Sequence, residues 1–206
     1  MSLSAVFDPT LFGEVFLTLF VIMDPLGNIP LFLGLTGGRS NKTRKRLAFQ
    51  GVCVSLGVIS LFAVLGQQIL DFLGINIPAL QGAGGLLLLI VALELLTDRQ
   101  EDPSELRDVN IALVPLGTPL LAGPGAIVAT IVFVQKSHGL ADRVSIGLGI
   151  VAIHLAVYFS LRFSVGITKI IREAGIVLLT RIAGLLLSAI AVQLVADSVR
   201  GFIARG

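Results

Sequence analysis

Two short segments carry the residues that could bind a ligand, and both interrupt long apolar stretches. The first is residues 24–30 (DPLGNIP), inside an apolar run from about residue 11 to residue 35. The second is residues 115–125 (PLGTPLLAGPG), about half a chain later. Proline removes a backbone N–H donor, and glycine lets the chain leave helical geometry. Each segment is therefore predicted to break a helix and to leave backbone polar groups free for a ligand.

The chemistry of a broken helix favours a ligand that carries a positive and a negative charge. Free amides at a half-helix N-terminus attract a carboxylate, and free carbonyls at a C-terminus attract an ammonium group or a metal cation. A zwitterionic amino acid satisfies both ends, and the many small residues nearby leave room for a small ligand only. The candidate binding residues are Asp24, Pro25, Gly27, Asn28, Thr118, Ala122, Gly123, Pro124 and Gly125.

Asp24 is the strongest single candidate among these residues. Its carboxylate could pair with a substrate ammonium or coordinate Na⁺, and its protonated form could couple transport to H⁺. Alternatively, it could cap the second half-helix by accepting hydrogen bonds from the amides of Leu26 or Gly27, and the two roles are compatible. Asn28 and Thr118 could line the same cavity or only satisfy backbone groups that the prolines free. No cofactor and no metal other than a coupling Na⁺ is expected.

The composition is that of a protein with the bilayer as its solvent. Of 206 residues, 55% are hydrophobic and 14% are charged, whereas soluble domains carry roughly a quarter charged residues. The net charge of +2 gives no reason to expect a nucleic-acid partner. Blocks of 22 to 25 residues are long enough to cross about 30 Å of hydrocarbon. The sequence predicts an all-α membrane protein with six transmembrane helices at about 11–35, 47–70, 76–97, 110–134, 144–168 and 175–197, of which the first and fourth are discontinuous.

The two halves of the chain resemble each other. A charged linker at about 98–108 separates a first repeat at about 9–97 from a second at about 109–200, all within one transmembrane domain. A shift of 99 positions superimposes several residues, which are Pro25 on Pro124, Arg44 on Arg143, Gly85 on Gly184, Leu95 on Leu194 and Asp98 on Asp197. Because each half has three spans, the second half must enter the membrane inverted, as in many secondary transporters.

Basic residues predict the orientation of the spans. The loops after blocks one, three and five, with their flanks, hold eleven Lys and Arg residues, and the other side holds four. Positive charge stays in the cytoplasm, so both termini are predicted on the outer side. The single cysteine, Cys53, cannot form an internal disulfide and is expected to be a buried packing residue.

The motifs at residues 24–30 and 122–127 (AGPGAI) together resemble the paired signatures of the MarC family of six-span integral membrane proteins, and the resemblance covers essentially the whole chain. It implies an inner-membrane protein with both termini outside. Family members include SnatA-like transporters of small neutral amino acids such as glycine and alanine, driven by a cation gradient. By matching motif, the substrate-binding role would fall on Asp24, Gly27, Asn28, Gly123 and Gly125.

Three other functions are compatible with parts of the sequence. The first is export of other small solutes or drugs, although glycine-rich close packing favours a small ligand. The second is a channel or a structural membrane partner. The third is an intramembrane enzyme, which is disfavoured because neither His138 nor His154 lies in an HExxH motif and Glu94 lies near a span end, far from Asp24. The oligomeric state, the coupling ion and the direction of flux are left open by the sequence.

Overall fold

A computed structural model describes residues 6–97 and 121–204 of the chain. These residues form seven helices and contain no strand, which confirms the all-α class. The helices are α1 (Pro9–Met23), α2 (Asn28–Leu35), α3 (Asn41–Leu73), α4 (Ile77–Thr97), α5 (Pro124–Gln135), α6 (Leu140–Arg162) and α7 (Ser164–Ile203).

Several of these helices are long and apolar enough to cross a membrane. Four helices in the described residues meet that criterion, namely α3, α4, α6 and the part of α7 from Ala174 to Ile203. Helices α1 and α2 together make a fifth, bent by 50° at the predicted break. Helix α5 has 12 residues, and the preceding half of the predicted fourth span lies outside the described residues. Large apolar side chains cover the exterior of the helices, as expected of a surface that faces lipid.

The break in the first span follows from its sequence. The Asp8 carboxylate caps α1 by accepting hydrogen bonds from the amides of Thr10 and Leu11. The helix ends at Met23 because Pro25 cannot donate to the carbonyl of Val21 four residues earlier. The chain turns at Asp24, whose φ of 34° lies in the left-handed region.

Three details differ from the sequence-based expectations. Helix α6 ends at Arg162, before the predicted boundary at residue 168. The polar residues 169–173, predicted as a turn, lie within α7, which is kinked at Arg172 with φ 60° and ψ 165°. The break at Arg172 thus lies inside the predicted turn, and the membrane-spanning part of α7 begins just after it, at Ala174. Cys53, expected to be buried, is exposed on α3.

Two groups of buried apolar side chains hold the helices together. The larger group, here called the core bundle, joins α1, α2, α3, α5 and α6 through residues such as Leu19, Ile59 and Ile153. The smaller group joins α4 to α7 through Leu88, Ala92, Leu187, Ala191 and Leu194. Ile22, at the end of α1, packs against both groups. The break in the first span therefore lies where the core bundle meets the α4–α7 pair.

Helices α4 and α7 approach each other at glycines that are 99 residues apart. A Cβ on Gly85 would lie 2.8 Å from the carbonyl oxygen of Ala191, and a Cβ on Gly184 would lie 3.3 Å from that of Ala92. A buried hydrogen bond joins α3 to α6 between Ser55 Oγ and His154 Nε2, at 3.1 Å, and these residues are also 99 positions apart.

The Gly85 contact leads to a stability prediction. Gly85→Ala is expected to lower the free energy of unfolding by about 1–3 kcal/mol, because the new methyl group would crowd a backbone carbonyl that cannot move away. Gly57→Ala is the matched control, since a Cβ there would meet no atom within 4 Å. Thermal unfolding of the purified proteins in one detergent measures both. Equal melting temperatures for the two variants would contradict the close α4–α7 contact.

Candidate functional site

Asp24 occupies the bend between α1 and α2 and is buried, with 8% of its surface exposed. Its Oδ1 accepts a hydrogen bond from the Gly27 amide at 3.0 Å. The carboxylate therefore holds the turn that leads into α2, whose N-cap is Gly27, through one of the amide contacts that the sequence left open. A non-glycine residue in the left-handed region is uncommon, and such residues concentrate at functional sites.

The second carboxylate oxygen of Asp24 lies in a buried position beside Thr180. Asp24 Oδ2 is buried and makes no hydrogen bond within the described part of the chain. A Cβ on Gly27 would overlap this oxygen and would lie 2.6 Å from Thr180 Oγ1 of α7. The carboxylate and the Thr180 hydroxyl thus face the same glycine, and the hydroxyl is placed to act as a donor to the carboxylate. A buried carboxylate oxygen beside a hydroxyl can accept a cation, an ammonium group or a proton.

The other residues of the first segment mainly support the bend. Asn28 Nδ2 donates to the carbonyl oxygen of Met23 at 2.7 Å, so this side chain satisfies a carbonyl at the end of α1. Pro25 is buried and leaves the carbonyl of Val21 without its usual helical donor. Gly27 is the one position here that tolerates no side chain, because Asp24 fills the adjacent space.

A helix begins within the second segment, and the residues that precede it in the predicted fourth span lie outside the described part of the chain. Gly123 is the N-cap of α5 and Pro124 is its first residue, a position where a missing N–H costs nothing. The buried Gly125 packs so closely against α4 that a Cβ would overlap Leu88 and would lie 3.5 Å from Ile22 Cγ2 of α1. Ala122 is buried just before the helix. The N-terminus of α5 thus contacts the C-terminus of α1.

The structure brings part of the predicted site together. Gly125 meets Ile22, two residues before Asp24, so the two segments approach each other at the junction of the core bundle with α4 and α7. Thr118 lies outside the described residues, and its predicted role is unaffected. The sequence did not single out Thr180 or Leu88, because a threonine and a leucine in apolar spans carry no signal of their own.

Two cavities open at opposite ends of α3. The large cavity, about 820 Å³, is lined by α3, α5 and α6 and includes Gln67, Gln135 and Arg143. The small cavity, about 190 Å³, includes Arg44, Arg162 and Gly166. Arg44 and Gln67 are 23 residues apart on α3, about 35 Å along a helix, or roughly one bilayer thickness. Asp24 lines neither cavity.

Comparisons of the sequence with known proteins identify the family of this chain. The MarC family of integral membrane proteins matches residues 10–203. A UPF0056 membrane protein of Methanocaldococcus jannaschii is 36% identical over 201 residues, covering 94% of this chain and 98% of the relative. The UPF0056 membrane protein YhcE of Escherichia coli is 31% identical, covering 95% and 94%. YvbG of Bacillus subtilis, with the same description, is 30% identical, covering 91% and 93%. No solved structure matches the chain.

The family match includes both segments that the sequence singled out, with the Asp24 bend in the first and the start of α5 at Pro124 in the second. The relatives are described as membrane proteins, in agreement with the long apolar helices of this structure. The chain belongs to the MarC family of integral membrane proteins.

Proposed function

We propose that the protein is a secondary active transporter of small neutral amino acids of the glycine and alanine class, coupled to a Na⁺ or H⁺ gradient. The observation that carries the proposal is Asp24 Oδ2, buried at the break of a membrane-spanning helix. A charge at this depth is costly unless it is paired, and a positively charged ligand would be a stronger partner for it than the neighbouring Thr180 hydroxyl. The substrate ammonium, a coupling cation or a proton would meet that need.

The size of the substrate is limited by the two glycines. A side chain on Gly27 would overlap Asp24, and one on Gly125 would overlap Leu88. The space over both glycines is therefore already filled by Asp24 and Leu88, so a ligand held between the two segments has to be small, which suits glycine or alanine better than a bulky amino acid. The substrate carboxylate would face the N-terminus of α5 near Gly125, and its ammonium group would face Asp24.

Alternating access between two inverted repeats is the proposed mechanism. It is supported by helix starts 99 residues apart, at Asn41 in α3 and Leu140 in α6. It is also supported by the hydrogen bond between Ser55 and His154, because equivalent residues of two repeats meet only on the axis that relates them. Six spans in the cytoplasmic membrane, with both termini on the outer side, complete this proposed architecture.

Reconstituted uptake tests the proposal. Purified protein in proteoliposomes is expected to take up labelled glycine and alanine when a Na⁺ or an H⁺ gradient is imposed, each gradient being applied separately. Saturable uptake that stops when the gradient is collapsed would support coupled transport. Uptake that rises linearly with concentration under every gradient would contradict it and would favour a channel.

A second candidate is export of other small solutes or drugs. The large cavity favours it, since about 820 Å³ is more space than glycine requires and lies in the range of drug-sized sites, roughly 300–1,000 Å³. Competition separates the two functions. If a drug panel inhibits glycine uptake less than unlabelled alanine does, the amino-acid proposal is favoured, whereas the reverse order favours the exporter.

A further inference from the structure

The two cavities contain equivalent residues of the two proposed repeats. Arg44 of the small cavity corresponds to Arg143 of the large cavity under the 99-residue shift. The same shift relates Gly166 of the small cavity to Gln67 of the large one. The cavities are thus counterparts of different size, one at each end of α3. This inference rests on the proposed inverted repeat and alternating access.

A pair of hydrogen-bonded side chains lies at the small cavity, where Arg44 is one of the lining residues. Arg44 Nε donates to Thr36 Oγ1 at 3.2 Å, and the Thr36 hydroxyl donates to the carbonyl oxygen of Phe32 at 2.6 Å. This pair ties the start of α3 to the end of α2. Arg162, which also lines the small cavity, donates to the hydroxyl of Tyr158 at 3.0 Å and covers its ring.

The corresponding pair in the large cavity is apart. Gln135 is the counterpart of Thr36 and lines the cavity with Arg143. Gln135 Nε2 donates to Gln67 Oε1, whereas Gln135 Oε1 is buried without a hydrogen-bond partner. The Arg143 side chain is exposed and makes no hydrogen bond within the described residues. A buried acceptor without a donor is unfavourable, and an unpaired guanidinium lies in the same cavity.

We propose that Thr36–Arg44 and Gln135–Arg143 are two alternating latches. In this structure the first latch is closed and the second is open. When the large cavity closes, Arg143 donates to Gln135 Oε1 and ties the start of α6 to the end of α5. When the small cavity opens, Arg44 releases Thr36, whose hydroxyl keeps its bond to Phe32. Each latch gives up one hydrogen bond as the other gains one, so the two conformations stay close in free energy.

Thiol labelling measures which cavity is open without requiring substrate. Reporter cysteines are introduced at Gly147 for the large cavity and at Gly166 for the small cavity, in a Cys53→Ala background. Both glycines line their cavities, and a Cβ at either would meet no atom within 4 Å. The full-length protein is placed in nanodiscs, where both membrane faces are accessible to a hydrophilic maleimide, and initial labelling rates are recorded.

Variants of the two latches are expected to shift labelling in opposite directions. Thr36→Val removes the hydroxyl that accepts from Arg44. It is expected to raise the ratio of the labelling rate at Gly166→Cys to the rate at Gly147→Cys by about tenfold, because one hydrogen bond to a charged group is lost. Gln135→Glu creates an ion pair with Arg143 and is expected to shift the ratio the same way. Thr36→Ser keeps the hydroxyl and should label like the parent. Arg143→Gln removes the second latch and is expected to lower the Gly166→Cys rate.

The inference is overturned if Thr36→Val and Gln135→Glu leave both labelling rates unchanged. In that case the size difference between the cavities is a fixed consequence of the bulky Arg162 and Phe163, which correspond to Ala63 and Val64. It is also overturned if Gln135→Glu and Thr36→Val shift the ratio in opposite directions. Absence of glycine uptake with normal labelling shifts would contradict the proposed substrate and leave the latches standing.

Discussion

Asp24→Asn is expected to reduce the initial rate of glycine uptake by at least about 30-fold, because a buried charge contact of this kind is worth 2 kcal/mol or more. The amide oxygen of asparagine can still accept the hydrogen bond from Gly27, so the bend between α1 and α2 is preserved. The amide nitrogen that replaces the second oxygen would repel an ammonium group or a cation. Uptake into proteoliposomes with matched protein content measures the effect.

The control for Asp24→Asn is Glu94→Gln, which removes an exposed carboxylate from α4. Uptake by Glu94→Gln should stay within about twofold of the parent, since an exposed charge contributes little. The melting temperature of each variant reports whether the fold survives. Uptake that is equally fast with aspartate or asparagine at position 24 would show that this residue only holds the bend.

Gly125→Ala is expected to lower glycine uptake by on the order of 10- to 100-fold, because a displacement of about 1 Å at a binding centre can have such an effect. The added methyl group would overlap Leu88 and push the N-terminus of α5 away from α1. Gly13→Ala on α1, where a Cβ would meet no atom within 4 Å, is the matched control and should transport normally.

A second substitution makes the Gly125 prediction more specific. Leu88→Ala removes both the δ-carbon and the γ-carbon that a Cβ at position 125 would overlap, so Gly125→Ala with Leu88→Ala should recover most of the lost uptake. If the double variant transports no better than Gly125→Ala alone, steric crowding by Leu88 is not the cause. In that case a backbone requirement at Gly125 itself would have to explain the loss.

The sequence predicted the helical fold, the break after α1 and the start of α5 for a clear physical reason. Proline and glycine act locally, so the ends of α1 at Met23 and the start of α5 at Pro124 follow from neighbouring residues alone. The role of Asp24 in holding the turn was also open to prediction, because its partner Gly27 is three residues away. Family resemblance supported the same segments and is confirmed over residues 10–203.

Contacts between distant helices could not be predicted in the same way. Thr180 reaches Gly27 only through the packing of α7 against the first span, and Leu88 closes on Gly125 only through the packing of α4 against α5. Residues 169–173 were predicted as a turn, but polar residues at a membrane surface suit a loop or a helix equally. The structure leaves helical geometry there only at Arg172. Tertiary packing, not local propensity, decides these features.

Counterflow of glycine tests most directly whether this MarC protein is a carrier with alternating access. Proteoliposomes preloaded with unlabelled glycine are diluted into a trace of labelled glycine without any ion gradient. Labelled glycine is expected to accumulate transiently above its equilibrium level inside the proteoliposomes. The reason is that unlabelled glycine leaving the vesicles returns the binding site to the outer face, where it binds label. Label that only rises to equilibrium, at the same rate with or without preloading, would contradict a carrier mechanism.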